Sequence, residues 1–254
     1  YQPVWRTRQQ PQPAAHEHPL THFRHHILDL TTMTRDIIPG PTLERLPWYL
    51  AYISMLRASK VEYVSSTSIA RELNVDPSQT AKDLSYLKIK GRTRVGYEVA
   101  MLEQKLSAFL GFKRSHPAVM IGCGSLGSAL IADRGLQNYG LHIVAGFDTD
   151  SSLAGKIIDG VEIYPMSRLE ELRPSLDAEI AVIAVPVENA QNAADHAVAA
   201  GIKALWNFTP FRLRTREDIV IQNTSFYSHL AVMYNRLANL HSPPVSYTHL
   251  TLPT

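Results

Sequence analysis

The chain has 254 residues, enough for two domains that each bury a core of their own. Hydrophobic residues make up 45% and charged residues 19%, which is typical of a globular protein, and no apolar run reaches the roughly 18 residues that a membrane span requires. The formal net charge of +2 says little about partners by itself, and the N-terminus shows no apolar segment that would predict secretion. A single cysteine excludes an internal disulfide framework and favours the cytoplasm.

Both ends of the chain are predicted to be disordered tails. Residues 1–37 combine Gln, Pro, Arg and His without a sustained period, and residues 241–254 carry paired prolines with Thr and Ser. A solvated tail is favoured over a metal site, because the histidines of the first tail lack cysteine partners and a zinc-type spacing. These histidines are His16, His18, His22, His25 and His26.

Residues 38–112 are predicted to form a winged-helix DNA-binding domain. Apolar residues recur at helical spacing from Pro41 to Ser59, where Pro47 either begins the regular helix or kinks it. A second helix follows Ser65 and Ser66, whose hydroxyls offer its cap.

A tight turn at residues 74–76 leads into a third helix from Pro77 to Leu87, since proline suits a first helical position. Leu84 and Leu87 are expected to face inward. Two helices joined by a short turn place the second one in the major groove of DNA. The residues expected to face outward on this helix are Gln79, Thr80, Lys82, Asp83 and Ser85.

Residues 88–97 are predicted to form a hairpin-like wing with alternating side chains and a glycine tip. Between Ala81 and Val95 five basic residues face one acid, and such a local cluster is what phosphate neutralisation requires. The alternative is a solvated surface with an incidental run of charge. The basic residues are Lys82, Lys88, Lys90, Arg92 and Arg94.

The candidate DNA contacts differ in role. The third helix would meet base edges or nearby phosphates, and the wing would hold the backbone or probe the minor groove. Arg45 would anchor a phosphate from the first helix. Asp83 would orient a neighbouring base-reading residue, because a carboxylate otherwise repels DNA. The full predicted set is Arg45, Ser66, Gln79, Thr80, Lys82, Asp83, Ser85, Lys90, Arg92 and Arg94.

A glycine-rich loop after the predicted strand Pro117–Ile121 indicates a dinucleotide site at the start of a Rossmann-type domain, residues 113–223. Gly122 permits a tight turn, Gly124 lets the backbone approach a pyrophosphate, and Gly127 lets the following helix pack on the sheet. The phosphates would lie on free N–H groups at the helix start. The complete loop is Gly122, Cys123, Gly124, Ser125, Leu126 and Gly127, and the helix is predicted to continue to Tyr139.

Asp148 ends a second predicted strand, Leu141 to Phe147, where its carboxylate can accept hydrogen bonds from the adenosine ribose. A 2′-phosphate would meet its charge, and no arginine follows to compensate. The cofactor is therefore predicted to be NADH or NAD⁺ rather than the phosphorylated form.

Strand and helix patterns continue to alternate through residues 180–185, 188–200, 203–207 and 219–221, which predicts a doubly wound parallel sheet. Ligands bind such sheets at the carboxyl ends of the strands. Residues after those ends are expected to line the nicotinamide half, and Asn207 would hydrogen-bond ribose or carboxamide. The alternative is that Pro186 and Pro210 only end strands. The residues are Val185, Pro186, Asn207 and Phe208.

Two features bear on activity and assembly. No histidine or lysine is placed as a positioned acid or base, so no catalytic set is predicted, and Cys123 is expected to pack rather than react. Residues 224–240 are predicted to form a last helix with one apolar stripe. That stripe packs either within the chain or on a second subunit. The stripe consists of Phe226, Leu230, Met233, Tyr234, Leu237 and Leu240.

The chain resembles the Rex family of redox-sensing transcriptional repressors. The resemblance covers about residues 38–240 and is carried by the motifs Thr42-Leu43-Glu44-Arg45-Leu46-Pro47, Lys82-Asp83-Leu84-Ser85-Tyr86, Val95-Gly96-Tyr97, the loop of residues 122–127, Phe147-Asp148, Val185-Pro186, Ala190-Gln191, Ala200-Gly201-Ile202-Lys203 and Asn207-Phe208. It implies a homodimer that reads an inverted-repeat operator on double-stranded DNA, a last helix swapped into the partner, and release of DNA when NADH binds. It also implies that Phe226 enters the nicotinamide pocket of the partner.

The sequence departs from the family pattern at five positions. Ala81 stands where the family usually has arginine, and Lys88 and Arg94 replace two wing glycines. Asp133 and Ser225 replace a tyrosine and an aspartate that form a switch contact across the dimer in relatives. A hydrogen bond between Asp133 and Ser225 would keep such a contact in altered form.

Two alternatives to a repressor follow from the same residues. An NAD-dependent oxidoreductase or a CoA-binding, ligase-like subunit would use the same nucleotide fold. A DNA-binding protein whose nucleotide domain serves only dimerisation is the third class.

Overall fold

A computed structural model describes residues 38–241. The predicted tail of residues 1–37, with its five histidines, lies outside the described residues, as do residues 242–254 of the second predicted tail. No helix within residues 38–241 has the length and apolar character needed to cross a membrane.

The N-terminal part is a small helical domain closed by a two-stranded sheet. Strands β1 and β2 pair antiparallel. The first and last helices pack together around a core that includes Leu46, Tyr49, Ile53, Leu84 and Leu102, all fully buried. The elements in chain order are α1 (Gly40–Ala58), β1 (Tyr63–Val64), α2 (Ser66–Glu72), α3 (Pro77–Ser85), β2 (Tyr97–Glu98) and α4 (Val99–Phe109).

Side-chain caps define the two helices of the predicted helix-turn-helix. The Ser65 hydroxyl accepts a hydrogen bond from the N–H of Ser68 at the start of α2. Asp76 accepts from the N–H groups of Ser78 and Gln79 at the start of α3. Between the helices Asn74 adopts a positive φ of 53°, which asparagine tolerates better than most residues. The turn residues thus carry the local information that separates α2 from α3.

The wing lies between α3 and β2 and is closed by a bridge from Arg92 to Gly96. Its tip consists of Thr93 and Arg94, so the expectation of a glycine tip is wrong. Arg94 adopts a φ of 65° and Lys88 a φ of 53°. The two wing positions at which the sequence departs from the family pattern are therefore left-handed, and each basic residue there has a conformational cost of about 1 kcal/mol.

The second domain is a seven-stranded sheet in the order β5-β6-β4-β3-β7-β8-β9. All neighbouring pairs are parallel except β5 with β6. This is the predicted doubly wound arrangement. Successive strands are added on one side of β3 and then, from β7 onward, on its other side, so the strand order reverses between β3 and β7. The strands are β3 (His116–Ile121), β4 (Leu141–Asp148), β5 (Ile157–Ile158), β6 (Val161–Pro165), β7 (Ile180–Ile183), β8 (Ala204–Asn207) and β9 (Val220–Asn223).

Apolar cores cover both faces of this sheet. Along β3, Val119 and Ile121 face one core while Met120 faces the other, as the two-residue period of a strand dictates. The helices are α5 (Ser125–Ile131), α6 (Arg134–Asn138), α7 (Leu169–Leu176) and α8 (Ala190–Ala199), with short 3-10 turns at Met166–Arg168 and Val187–Asn189.

The predicted single helix from Ser125 to Tyr139 is wrong, because it is two helices. Asp133 lies between them with extended backbone, and its carboxylate accepts a hydrogen bond from the N–H of Gly135. A cap residue in the middle of an apolar helical pattern starts a new helix there.

The last helix, α9 (Phe226–His241), carries its apolar stripe on the surface, and the Phe226 ring at its start lies against Phe208. Its stripe residues are exposed, from 38% at Leu230 to 79% at Leu240. Apart from Phe226, the stripe is not packed in the core of the described chain, so that alternative is wrong for most of its residues, and packing on a second subunit stays a prediction.

Candidate functional site

The glycine loop joins β3 to α5 in a turn that leaves no room for side chains at two positions. Gly122 adopts a φ of +90°, and a Cβ there would lie 2.5 Å from the carbonyl oxygen of Ala184. A Cβ on Gly127 would lie 1.9 Å from the carbonyl oxygen of Gly122. A Cβ on Gly124 would meet nothing within 4 Å. The first and third glycines therefore serve packing, and the second faces the open space that a phosphate group would need.

Asp148 at the end of β4 ties its strand to the glycine loop. Its Oδ2 accepts the N–H of Cys123 at 2.7 Å, and its Oδ1 accepts the N–H of Asp150 at 2.9 Å. Each carboxylate oxygen keeps a further lone pair, so the group can still accept from ribose hydroxyls. Asp150 lies beside it, and hydrogen bonds from Ser152 hold the pKa of that carboxyl below its usual value.

A cleft of about 330 Å³ opens between these carboxylates and the loop after β7. Five predicted residues line it, namely Gly122, Gly124, Asp148, Val185 and Pro186. The sequence did not predict the other residues of the lining. Three of them, Asn189, Asn192 and His196, come from an Ala-rich helical pattern that carried no binding motif. Their spacing over two turns of α8 and the 3-10 turn before it was the available signal, because it places them on one face.

Cys123 belongs to the packing of the loop, as expected. The side chain is 2% exposed, and burial with the nearby charge of Asp148 raises the pKa of the thiol to about 12. A thiol with such a pKa is not a nucleophile near neutral pH. What Cys123 supplies to the site is its backbone N–H.

Asn207 corrects a prediction. Its Nδ2 donates to the carbonyl oxygen of Phe211 and to Oδ1 of Asn223, and its Oδ1 accepts the N–H and the hydroxyl of Thr209. Both donors and both lone pairs of this fully buried amide are used. It shapes the loop after β8 and has no group left for ribose or carboxamide.

Phe208 does not line the cleft and belongs to an aromatic group with Trp206 and Phe226. Its ring centroid lies 4.7 Å from that of Trp206 and 5.9 Å from that of Phe226. Phe208 also packs in one core with Cys123. The four residues predicted for the nicotinamide half are therefore divided, because Val185 and Pro186 line the cleft and Asn207 and Phe208 do not.

Eight of the ten residues predicted to contact DNA are exposed or part-exposed, and two are buried. The structure exposes Lys82, Ser85, Lys90, Arg92 and Arg94, and it leaves Ser66, Gln79 and Arg45 part-exposed. Thr80 and Asp83 are fully buried, so their predicted outward orientation is wrong. These two share the inner face of α3 with Leu84, at the i, i+3 and i+4 spacing of one helix face. The helix ends at Ser85, before the predicted end at Leu87, which is buried in the turn that follows.

Asp83 lies at the centre of a buried polar cluster between α1 and α3. Arg45 donates to it through two nitrogens, Nε at 2.7 Å and Nη2 at 2.9 Å. Burial alone would raise the pKa of Asp83, but the hydrogen bonds from Arg45, Tyr49, Gln79 and Thr42 outweigh it and lower the pKa to about 2. The guanidinium of Arg45 thus pairs with Asp83 through two of its nitrogens, and only its remaining N–H groups would be available to bind a phosphate.

Two further residues are placed by contacts within the chain. The guanidinium of Arg92 lies over the ring of Tyr63, 5.1 Å from its centroid. Asp133 and Ser225, the predicted switch pair, form no hydrogen bond with each other in residues 38–241. Asp133 caps α6, and the Ser225 hydroxyl accepts the N–H of Ser228 at 3.3 Å.

Comparison with known proteins gives matches to both halves of the chain. Residues 37–85 match the family model "Putative DNA-binding protein N-terminus", and residues 113–211 match the model "CoA binding domain". The redox-sensing transcriptional repressor Rex of Bacteroides fragilis is 54% identical over 200 residues, which are 79% of this chain and 91% of that protein.

Solved structures of RSP, a Rex-family repressor, are also similar. Its complex with NAD⁺ and operator DNA has a TM-score of 0.77 and 30% identity, with 80% of this chain and 94% of that chain covered. Its complex with NADH has a TM-score of 0.73 and 30% identity, with 80% and 96% covered.

Proposed function

The chain belongs to the Rex family of redox-sensing transcriptional repressors, and we propose that it is a DNA-binding repressor that responds to the ratio of NADH to NAD⁺. The observation that carries this proposal is one chain with a winged helix followed by a cleft between Gly124 and Asp148. The relatives are named as repressors that sense redox state, and the similar RSP structures hold NAD⁺ with operator DNA, or NADH. The same relatives confirm the family resemblance that the sequence motifs indicated.

The ligand that we propose for the cleft is NAD(H). The adenosine ribose would lie on Asp148, and the pyrophosphate would pass over Gly124, where the backbone is open. The adjacent carboxylates of Asp148 and Asp150 would repel a 2′-phosphate, which favours NADH over its phosphorylated form. The predicted contacts of Ser125, Leu126 and Phe226 are part of this proposal.

The DNA-binding surface would be α3 with the wing. Lys82, Lys90 and Arg92 are exposed there, together with two basic residues at left-handed wing positions, Lys88 and Arg94. Because the family usually has glycine at the last two, this chain adds two cations to the wing in spite of the conformational cost. That exchange favours phosphate contact over an incidental charge run.

We propose that the active form is a homodimer with exchanged last helices. An apolar groove of about 750 Å³ lies between the two domains of one chain, and it includes Trp48, Phe112, Tyr139 and Trp206. The stripe on α9 is exposed in the same chain. A helix from a second copy would cover both surfaces, and each fully buried large apolar side chain would contribute about 1.5–3 kcal/mol.

Binding of NADH would release the operator by changing the spacing of the two winged helices. Both nucleotides would occupy one site, and only a difference in their affinity for the two dimer forms can shift the balance. The coupling must be reciprocal, so operator DNA would weaken NADH binding by the same factor. A shift of about 3 kcal/mol corresponds to a roughly hundredfold change in affinity. The cytoplasm is the proposed location, since operator DNA and free NADH meet there.

A regulator is favoured over an enzyme, because the cleft presents no acid–base pair aimed at a substrate position. Among its lining residues His196 is exposed, and Asp148 is engaged by two backbone N–H groups. The match of residues 113–211 to a CoA-binding domain is the observation that supports an enzyme subunit as the alternative.

The test is an anisotropy titration of the purified protein on a labelled inverted-repeat duplex at fixed salt, with NADH and NAD⁺ added in turn. Release by NADH at concentrations where NAD⁺ leaves the complex intact is the expected result. Tight binding that ignores saturating NADH would contradict redox sensing. Absence of sequence-specific DNA binding, with CoA binding by calorimetry, would favour the enzyme subunit.

A further inference from the structure

We propose that Asp83 is a positioning residue that fixes the side-chain amide of Gln79 in the orientation that reads adenine. The inference deepens the proposed DNA binding and rests on it. It assigns to a buried acid of α3 a specific part in base recognition, which Asp83 performs through Gln79 and without touching DNA.

The buried cluster shows why Asp83 can act in this way. The carboxylate is fully buried and accepts five hydrogen bonds, which hold it on both oxygens. Beside the two from Arg45, the Thr42 hydroxyl donates to Oδ1 at 2.9 Å and the Tyr49 hydroxyl donates to Oδ2 at 2.8 Å. The fifth comes from Nε2 of Gln79, at 2.8 Å from Oδ1. Four contacts reach Asp83 from α1, so α1 holds the carboxylate in place.

Gln79 is the member of this cluster that belongs to the exposed side of α3. It lies one turn before Asp83, and its side chain is part-exposed while Asp83 is buried. Its backbone is also held, because its N–H donates to Oδ1 of the cap residue Asp76 at 3.0 Å. Both the backbone and the side chain of Gln79 are therefore fixed before DNA arrives.

The chemistry of a carboxylate decides which way the amide points. An ionised carboxylate accepts hydrogen bonds and donates none, so Gln79 must turn its NH₂ group toward Asp83. The low pKa of Asp83 keeps it ionised at neutral pH. One N–H of that group and the carbonyl Oε1 are left for a ligand. A glutamine that presents an N–H beside an oxygen matches N7 and the N6 amino group of adenine in the major groove.

A freely rotating amide would present the donor and the acceptor in either order, and it would lose side-chain entropy on binding. An amide held by Asp83 presents one order. We therefore expect adenine to be preferred at one symmetric position of each half-site, by about 5- to 150-fold over the other bases.

The experiment uses the full-length protein and a set of duplexes. Selection from a randomised inverted repeat first supplies the operator, and single-base changes through each half-site then supply the discrimination profile by anisotropy. Gln79→Ala and Asp83→Asn are compared with the wild-type protein. A random-sequence duplex reports non-specific affinity.

Both variants are expected to reduce discrimination at the same position to less than about threefold, while non-specific affinity stays within about twofold. The double variant should lose no more discrimination than Gln79→Ala alone, because Asp83 acts through Gln79. An Asn at position 83 offers both a donor and an acceptor, so it no longer selects one orientation of the Gln79 amide.

Glu103→Gln is the matched control for loss of stability. Glu103 binds Arg57 and accepts from the Ser54 hydroxyl at 2.7 Å, so it also joins α1 to another helix of the same domain through a carboxylate. It does not contact α3. This control should leave the discrimination profile unchanged, with thermal melting used to compare stability across the set.

Three outcomes would overturn the proposal. The first is an Asp83→Asn protein that keeps the wild-type profile, and the second is one that loses affinity equally at every base, as a merely structural role predicts. The third is a Gln79→Ala protein that keeps its adenine preference, which decides the matter even where Asp83→Asn does not fold. Wild-type protein without any selected sequence would instead contradict the proposed function itself, and this inference with it.

Discussion

Asp148 engages two backbone N–H groups within the protein while its remaining lone pairs face the cleft. At the scale of single residues this double use recurs. Asp83 holds α1 and α3 together and orients Gln79, and Cys123 packs by its side chain and donates by its backbone. Side chains that define the local structure here are the same ones that we propose to touch or orient a ligand.

Replacement of Asp148 by asparagine is expected to weaken NADH binding by about 10- to 100-fold. Its amide would present an NH₂ group either to an N–H donor of the loop or to the ribose hydroxyls. Titration of the NADH fluorescence measures the affinity. Asp159→Asn is the matched control, because Asp159 is exposed at a positive φ that asparagine tolerates. Unchanged affinity in Asp148→Asn would remove the ribose contact from the proposed site.

The lowered pKa of Asp83 predicts that the stability of the folded protein depends on pH. Its folded pKa of about 2 lies below its ordinary value, so the unfolded chain binds the proton first as the pH falls. The stabilisation by Asp83 is complete above about pH 5 and is lost between about pH 4 and pH 2. The difference in melting temperature between wild-type protein and Asp83→Asn should be constant above pH 5 and shrink below pH 4. A difference that persists unchanged at pH 2.5 would contradict this origin.

At the scale of elements, short local signals decided where helices begin and how the loops turn. Ser65 caps α2 as its position indicated, and Asp76 of the predicted turn caps α3, a role that was not predicted from the sequence. Asp133 divides one predicted helix into α5 and α6. The glycine loop combines two positions without room for a Cβ and one that opens to solvent.

Gly124→Ala and Gly127→Ala should separate binding from packing. Gly124 has a φ of −67° and open space, so alanine there should leave the melting temperature unchanged and weaken NADH binding. Alanine at position 127 would overlap the carbonyl oxygen of Gly122 and should destabilise the domain by about 1–3 kcal/mol. Thermal melting and NADH titration give the two readouts. Equal destabilisation by both variants would mean that the loop has one role throughout.

A double variant with Lys88→Gly and Arg94→Gly tests whether the two basic wing residues reduce the stability of the fold and strengthen DNA binding. Glycine relieves the left-handed backbone, so the double variant should melt at a higher temperature. Loss of two cations should weaken operator binding and reduce the salt slope of the logarithm of affinity by up to about 2. Anisotropy titrations at several salt concentrations measure both. A salt slope equal to that of the wild-type protein would exclude these side chains from phosphate contact.

At the scale of the whole molecule, a single chain leaves two apolar surfaces without cover. Both surfaces are apolar. Within the described residues the groove between the domains is open, and most of the stripe on α9 is exposed. The aromatic group of Phe208 and Phe226 lies at the base of the same helix, beside the glycine loop. Dimer formation through α9 would therefore complete the nucleotide site as well as the core.

Leu230→Glu with Leu237→Glu is expected to convert the dimer to a monomer. Two carboxylates on the apolar stripe would have to be buried in the partner's groove, at a cost larger than the apolar contacts return. Sedimentation velocity measures the mass, and operator affinity should fall because two half-sites are no longer read together. Asn235→Glu with Asn239→Glu, on the opposite face of the helix, is the matched control and should remain dimeric. Dimeric Leu230→Glu, Leu237→Glu protein would place the interface elsewhere.

The amino-acid sequence by itself determined the order of the domains, the doubly wound sheet and the glycine loop with Asp148. These features depend on local periodicity, on backbone positions that only glycine fits, and on motifs that are contiguous in the chain. The cap of α2 followed from the same local chemistry.

The tertiary structure alone decided which polar residues remain free to bind. Asn207 and Asp83 look like binding residues in sequence, yet long-range partners such as Asn223, Tyr49 and Arg45 occupy their groups. His196 entered the cleft because α8 packs beside the end of β7, which no local pattern specifies. Contacts between residues distant in the chain depend on how the elements pack, and packing determines burial and hydrogen-bond partners together.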